Sequence, residues 1–187
     1  MTGSINVFVK VLSMSVIGME SHPVQVEVDI SQGLPQFYTV GLPDASVKES
    51  RDRIKAAIKN SGYPFPRDHV TVNLAPADIR KEGTGFDLPI AVGILAAQGM
   101  IPESSLQKCF FSGELSLDGS IKGVRGILPA TFKAGELGLQ SVFVPEDNAA
   151  EAAMVGGISV YGVKTLPEVV EFLSDRQPLE TFSLDAE

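Results

Sequence analysis

The sequence is short of the groups that build covalent and metal-based frameworks. Among its 187 residues there are one cysteine, Cys109, and two histidines, His22 and His69. A lone thiol excludes an intramolecular disulfide. One Cys and two His cannot close a four-ligand zinc site without carboxylates. Long apolar runs are absent as well. The longest covers residues 90–97, far below the roughly 20 residues that a membrane-spanning helix requires. No basic stretch at the N-terminus leads into a hydrophobic segment, so nothing reads as a secretory leader and a reducing, cytoplasmic location is the expectation.

Several catalytic signatures are missing too. No run of spaced glycines is followed by Lys and Ser/Thr, the arrangement whose amides and lysine cradle a triphosphate. The glycine pairs Gly83/Gly85 and Gly123/Gly126 lack dinucleotide-binding spacing. No ATP site is expected in this chain by itself, and no cofactor or metal. The strained Gly-x-Ser-x-Gly turn of hydrolase nucleophiles does not occur.

What is present suits an ordinary globular protein. Hydrophobic residues make up 44% and charged residues 20%, with a net charge of −8, which excludes a disordered chain. The acidity is uneven. Residues 1–145 hold 13 basic against 14 acidic side chains, and residues 146–187 hold 2 against 9. A near-neutral body can still carry a basic face, so the net charge does not exclude nucleic acid.

Strands are expected over residues 5–17, 24–30 and 37–40, where Val and Ile dominate and residues 24–30 alternate apolar with polar. Asp44 is placed to cap a helix running to Asn60 and ended by Ser61-Gly62. Residues 69–74 read as a strand and 87–98 as a buried helix with Pro89 in its first turn. A strand over 110–117 is folded back by Asp118-Gly119 toward Ile121. Helix 126–137, strand 141–144, helix 147–154, strand 158–163 and helix 166–173 follow, a helix-to-strand order that suits parallel crossovers. The fold class is α/β (α+β) with a mixed sheet. Residues 177–187 are acidic, without periodicity, and read as a linker.

Isolated polar residues receive plain readings. Cys109 beside Phe110 and Phe111 is a buried thiol; His22 and His69 are packing or turn residues. Glu27 and Asp29 occupy the solvent face of a strand. On the helix 44–60, Lys48, Arg51 and Lys55 recur at i, i+3 and i+7 as one basic stripe. It is either a solvated face with internal ion pairs, such as Asp52 with Lys48 or Lys55, or a sequence-independent phosphate contact. Arg80, Lys81, Lys122 and Arg125 are candidates to extend it.

The most specific stretch is Asn73-Leu74-Ala75-Pro76-Ala77-Asp78-Ile79-Arg80-Lys81-Glu82-Gly83-Thr84-Gly85-Phe86-Asp87, preceded by Gly41-Leu42-Pro43-Asp44-Ala45. It resembles the N-terminal domain of the magnesium-chelatase-like AAA+ ATPases, the YifB/ComM competence-protein family. More distantly it is similar to the proteolytic domain of Lon and the C-terminal domain of RadA. The resemblance spans residues 5–175. It implies a Lon-protease-like fold over residues 1–176, a linker over 177–187, and an ATPase module outside this chain that takes ATP and Mg. It also implies a homo-oligomeric ring and a role with DNA in competence or recombination by branch migration.

Lon-type domains carry a serine after Asp-Gly-Pro and a lysine on a later helix after a Thr-Gly-Glu-Ile strand. Here Lys81-Glu82-Gly83-Thr84-Gly85 takes the serine stretch and Ser112-Gly113-Glu114-Leu115 resembles the strand. The comparison sets Gly85 at the nucleophile and Leu128 at the lysine, so both halves of the dyad are missing and the domain is expected to be noncatalytic. Ser112 and Lys122 are the one replacement pair to weigh, and the alternative reading is an ATP-dependent serine peptidase domain.

Overall fold

A computed structural model describes residues 7–184. The expected strand positions 5–6 and the tail positions 185–187 lie outside the described residues. The elements run β1 (Val7–Ile17), β2 (Glu20–Ser31), β3 (Gln36–Val40), α1 (Ala45–Asn60), β4 (His69–Ala75), α2 (Asp87–Ala97), β5 (Cys109–Phe111), β6 (Glu114–Leu115), β7 (Ile121–Lys122), α3 (Ile127–Glu136), β8 (Ser141–Pro145), α4 (Ala149–Ala153), β9 (Ser159–Val163) and α5 (Leu166–Leu173).

The first sheet is mixed, in the order β1-β2-β4-β3. β1 with β2 and β2 with β4 are antiparallel, whereas β3 joins β4 in parallel. Strand alternation sends Val24, Val26, Val28, Val70, Val72 and Leu74 to one buried face. Against that face lies α2, all eleven of whose residues are buried. A helix apolar on every side is stable only inside a core.

The second sheet, β5-β8-β9, is wholly parallel, with α3 and α4 in its crossovers. Neighbouring residues of β5 face opposite ways. Phe111 stacks on Phe143 at 4.8 Å between ring centroids and joins the main core, while Phe110 enters a second core with Ile127, Ala130 and Val142. This sheet supplies the α/β character and the first sheet the antiparallel part.

One expected strand, residues 110–117, is broken. Ser112 N–H still donates to the Phe143 carbonyl, but Gly113 N–H donates to the Gly85 carbonyl, so the chain leaves the second sheet and enters the hairpin β6–β7. Leu115 faces Ile121 there, and Asp118-Gly119 sits in the connecting turn, where the Asp118 carboxylate accepts from the Ser120 N–H and hydroxyl. The tail after α5 lies along β9: Leu179 packs on the main core and Phe182 N–H donates to the Val160 carbonyl at 2.7 Å. Among the described residues no helix is long and apolar enough to cross a membrane.

Candidate functional site

The start of α1, the 82–86 loop and the 123–126 loop surround one polar cleft of about 610 Å³. Asp44 caps α1, accepting from Val47 N–H at 2.9 Å through one carboxylate oxygen and from Gly83 N–H at 3.2 Å through the other. One side chain therefore sets both a helix start and the opposite loop. The 123–126 loop is held by Asn148, whose amide accepts from Val124 N–H at 2.9 Å and donates to the Val124 carbonyl at 2.8 Å.

Behind this wall is a buried ion pair. Arg53 of α1 donates to both carboxylate oxygens of Asp87, at 2.9 and 3.1 Å, and to the Ser46 carbonyl at 3.0 Å. Asp87 also accepts from Leu115 N–H, so one carboxylate ties together α1, α2 and β6. Burial pushes the Asp87 carboxyl up to about 6, against the opposing pull of the guanidinium; the same pair raises Arg53 above its ordinary value. Sequence reading singles out Lys48, Arg51 and Lys55 on this helix and misses this pair. The signal that could have found it was position: Arg53 lies on the turn shared by Ser50, Ile54 and Ala57, the buried stripe of α1.

Gly85 and Ser112 both line the cleft. The Ser112 hydroxyl, almost buried, lies 3.5 Å from the Gly85 carbonyl, and a β-carbon at Gly85 would stand 2.8 Å from it. Leu128 is elsewhere, on the opposite face of α3, where it lines an apolar groove. Lys122 is exposed on β7 outside the cleft lining, and the Ser112 hydroxyl is turned to the Gly85 carbonyl. Gly85→Ser is expected to destabilise the fold by about 1–3 kcal/mol, the ordinary cost of overpacking. Adding Ser112→Ala should recover most of the loss in urea unfolding; no recovery would mean that Ser112 is not the obstacle.

The remaining basic candidates separate. Lys48, Arg51 and Lys55 are exposed on α1, and no ion pair links Asp52 to Lys48 or Lys55 among the described residues. Arg51 folds back to donate to the Phe37 and Lys48 carbonyls, and Lys55 lies over the Phe65 ring at 5.8 Å. Arg80 is exposed and paired with Glu82 at 2.9 Å. Arg125 stands at the cleft, exposed, without an ion pair among the described residues.

Lys81 overturns its expected surface role. It is fully buried; its ammonium donates to the Gly41 carbonyl at 2.6 Å and to the Pro76 carbonyl, and burial pushes its pKa down. Those carbonyls converge because β4 and the loop after β3 turn at one place, so Lys81 fastens the two loops and touches no solvent. Cys109 is buried, its thiol pushed up to about 11 by burial, an unreactive environment. Among the described residues no group of three or more His, Cys, Asp or Glu is placed to hold a metal ion.

The model of the family described as Subunit ChlI of Mg-chelatase matches residues 26–148. The chain belongs to this family. Within it, the chain is 41% identical over 169 residues to the competence protein ComM of Haemophilus influenzae, covering 90% of this chain and 33% of that protein. It is 43% identical over 164 residues to an uncharacterized protein of Mycobacterium tuberculosis, covering 88% and 33%. Lon protease 2 of Bacillus subtilis is 28% identical over 156 residues, 79% of this chain and 28% of the protease. The chain thus spans about a third of the length of the curated relatives it matches. For a member of the Mg-chelatase ChlI family, the matched segment takes in the whole 82–86 wall of the cleft, the Arg53–Asp87 pair and the buried Lys81.

Proposed function

We propose that this chain is a noncatalytic, Lon-like domain of a longer cytoplasmic ATPase, serving ring assembly and contact with DNA during competence or recombination. The observation that carries the noncatalytic part is the cleft itself: Gly85 stands on its wall without a nucleophile, and Leu128 points away into an apolar groove. A serine nucleophile is weak without a neighbouring base, and Gly85 and Leu128 supply neither member of such a pair. ATP and Mg are assigned to the remainder of the longer protein, and no cofactor to this domain. Similarity to the competence protein ComM supports the DNA setting.

The DNA contact is assigned to Lys48, Arg51 and Lys55 on α1 and Arg125 at the cleft, with Arg80 and with Lys122 on β7 as further exposed bases. Such a surface attracts phosphates without reading sequence and weakens with salt. Fluorescence anisotropy of labelled forked and single-stranded DNA over a salt series tests it. Binding should weaken steadily with salt, and changing Lys48, Arg51 and Lys55 together to Ala should flatten the log–log salt slope by roughly 1 for each phosphate that is no longer neutralised. Absence of binding at low salt would leave a domain for assembly alone.

A peptidase reading draws on the Lon similarity and on Ser112 in the cleft. A fluorophosphonate probe decides it: labelling of Ser112 would establish a nucleophile, and an unlabelled chain without casein hydrolysis is the expected result.

A further inference from the structure

The C-terminal end of α1, away from the cleft at its start, borders a second concavity. Together with the first residues of β3 and the loop before β4 it encloses a pocket of about 510 Å³, a size that takes a small ligand. Its walls are Phe37 and Phe65, whose ring centroids lie 5.6 Å apart at 47°. Both rings are half-buried and pack on the main core, and Pro64 and Pro66 stiffen the backbone on either side of Phe65. The aromatic surface is therefore fixed in place before anything binds.

The rim is cationic. Lys55 and Lys59, one turn apart on α1, and Arg67 on the loop are exposed. None of the three forms an ion pair among the described residues, and Asp68 is the only acid in the lining. Lys48 and Arg51 continue the row toward the start of α1. At 1.5 Å per residue, Lys48 to Lys59 spans roughly 16 Å, more than one phosphate needs and enough for a chain of them. Arg51 donates to the Phe37 carbonyl at 3.1 Å, which holds the row against β3 beside the aromatic wall. Unpaired cations select an anion, and aromatic faces select a flat ring. A nucleotide presents both.

We propose that this pocket takes an unpaired base of a single-stranded nucleic acid, stacked on Phe65, while Lys55, Lys59 and Arg67 hold the flanking phosphates. In a duplex each base is already stacked and paired, so its ring cannot enter a recess between a helix and a loop unless the strand opens. Lys55 lies over the Phe65 ring at 5.8 Å, near the outer limit of a cation–π contact. Its ammonium is free to swing to a phosphate as the base takes the ring face. The proposal rests on the DNA contact proposed above and deepens it: the α1 stripe draws in the backbone by charge, and the pocket distinguishes single strands from duplex.

The chain contains no tryptophan, so Phe65→Trp places a single indole reporter in the pocket. Its fluorescence should be quenched by a single-stranded oligonucleotide, whereas a duplex or an abasic strand of equal length should leave it nearly unchanged. Phe65→Leu keeps an apolar side chain against the core and removes the ring. In anisotropy at fixed salt it should weaken single-strand binding by about 5- to 150-fold, the loss of one stacked base, with duplex affinity and the circular dichroism spectrum as in wild type. Unchanged single-strand binding by Phe65→Leu, or equal quenching by the abasic strand, overturns the stacking while the phosphate contact of α1 stands. Quenching by a nucleoside monophosphate at the concentrations that suffice for the strand makes the occupant a free nucleotide and overturns the strand. No binding of any DNA at low salt overturns this pocket and the DNA reading together.

Discussion

Arg53→Met is expected to lower stability by about 3–5 kcal/mol at pH 8 and by much less at pH 5. Removing one partner of a buried pair strands the other as an uncompensated charge. Here the stranded group is Asp87, whose side chain is 1% exposed and cannot reach water. Its carboxyl sits at about 6 even beside the guanidinium because burial disfavours the charged form. An acid raised above its ordinary 3.8 on folding binds more protons in the native state than in the unfolded one. Its own contribution is therefore most favourable below pH 4 and is lost as pH rises through 6.

Arg53 offsets that loss in the wild-type protein. Without it, only a proton can neutralise the carboxyl, so the penalty must grow with pH. Asp87→Asn should cost less at pH 8, since the remaining guanidinium is 21% exposed and keeps access to solvent. Its penalty should run the other way, larger at pH 5 than at pH 8, because the amide cannot take up the proton that the raised wild-type carboxyl binds there. Urea unfolding of both variants at pH 5, 6.5 and 8 measures the difference. An Arg53→Met penalty that is equal at pH 5 and pH 8 would show that Asp87 does not titrate in the fold.

Gly41→Ala should be nearly as damaging, about 3 kcal/mol or more. Gly41 has φ of +101° and follows β3 directly against β4. A β-carbon there would fall on the Leu74 carbonyl oxygen and within 2.9 Å of the Leu74 carbonyl carbon and amide nitrogen, all backbone atoms that cannot rotate aside. The Gly41 carbonyl also receives the buried Lys81 ammonium, so any shift that relieves the clash loosens that fastening. Gly62→Ala separates the causes. Gly62 is also left-handed, φ +87°, but opens onto free space, so it should lose only about 1 kcal/mol. A Gly41→Ala protein no less stable than Gly62→Ala would remove close approach as the reason for glycine at position 41.

Much of the architecture was legible in local patterns. The cap at Asp44, the buried stripe of α1 and the unbroken apolar run of α2 each depend on residues a few positions apart, and each forms where the sequence sets it. The break at Ser112-Gly113 was not legible. Residues 110–117 read as one strand because β-propensity reports a preference for sheet and not which sheet; the Gly85 carbonyl, 28 residues away, captures Gly113 N–H and turns the chain. Arg53 was half legible, since its helical position faces inward but its partner lies 34 residues on.

Lys81 shows the limit most clearly. A lysine between Arg80 and Glu82 reads as one more surface charge, and only the meeting of the Gly41 and Pro76 carbonyls gives its ammonium a reason to be buried. The sequence by itself determined the helices, the tight turns and the absence of a serine at position 85, because residue identity and short-range periodicity are local properties. The tertiary structure decided which charges are buried and which apolar side chains remain outside, because both depend on where distant segments return, and no spacing along the chain carries that information.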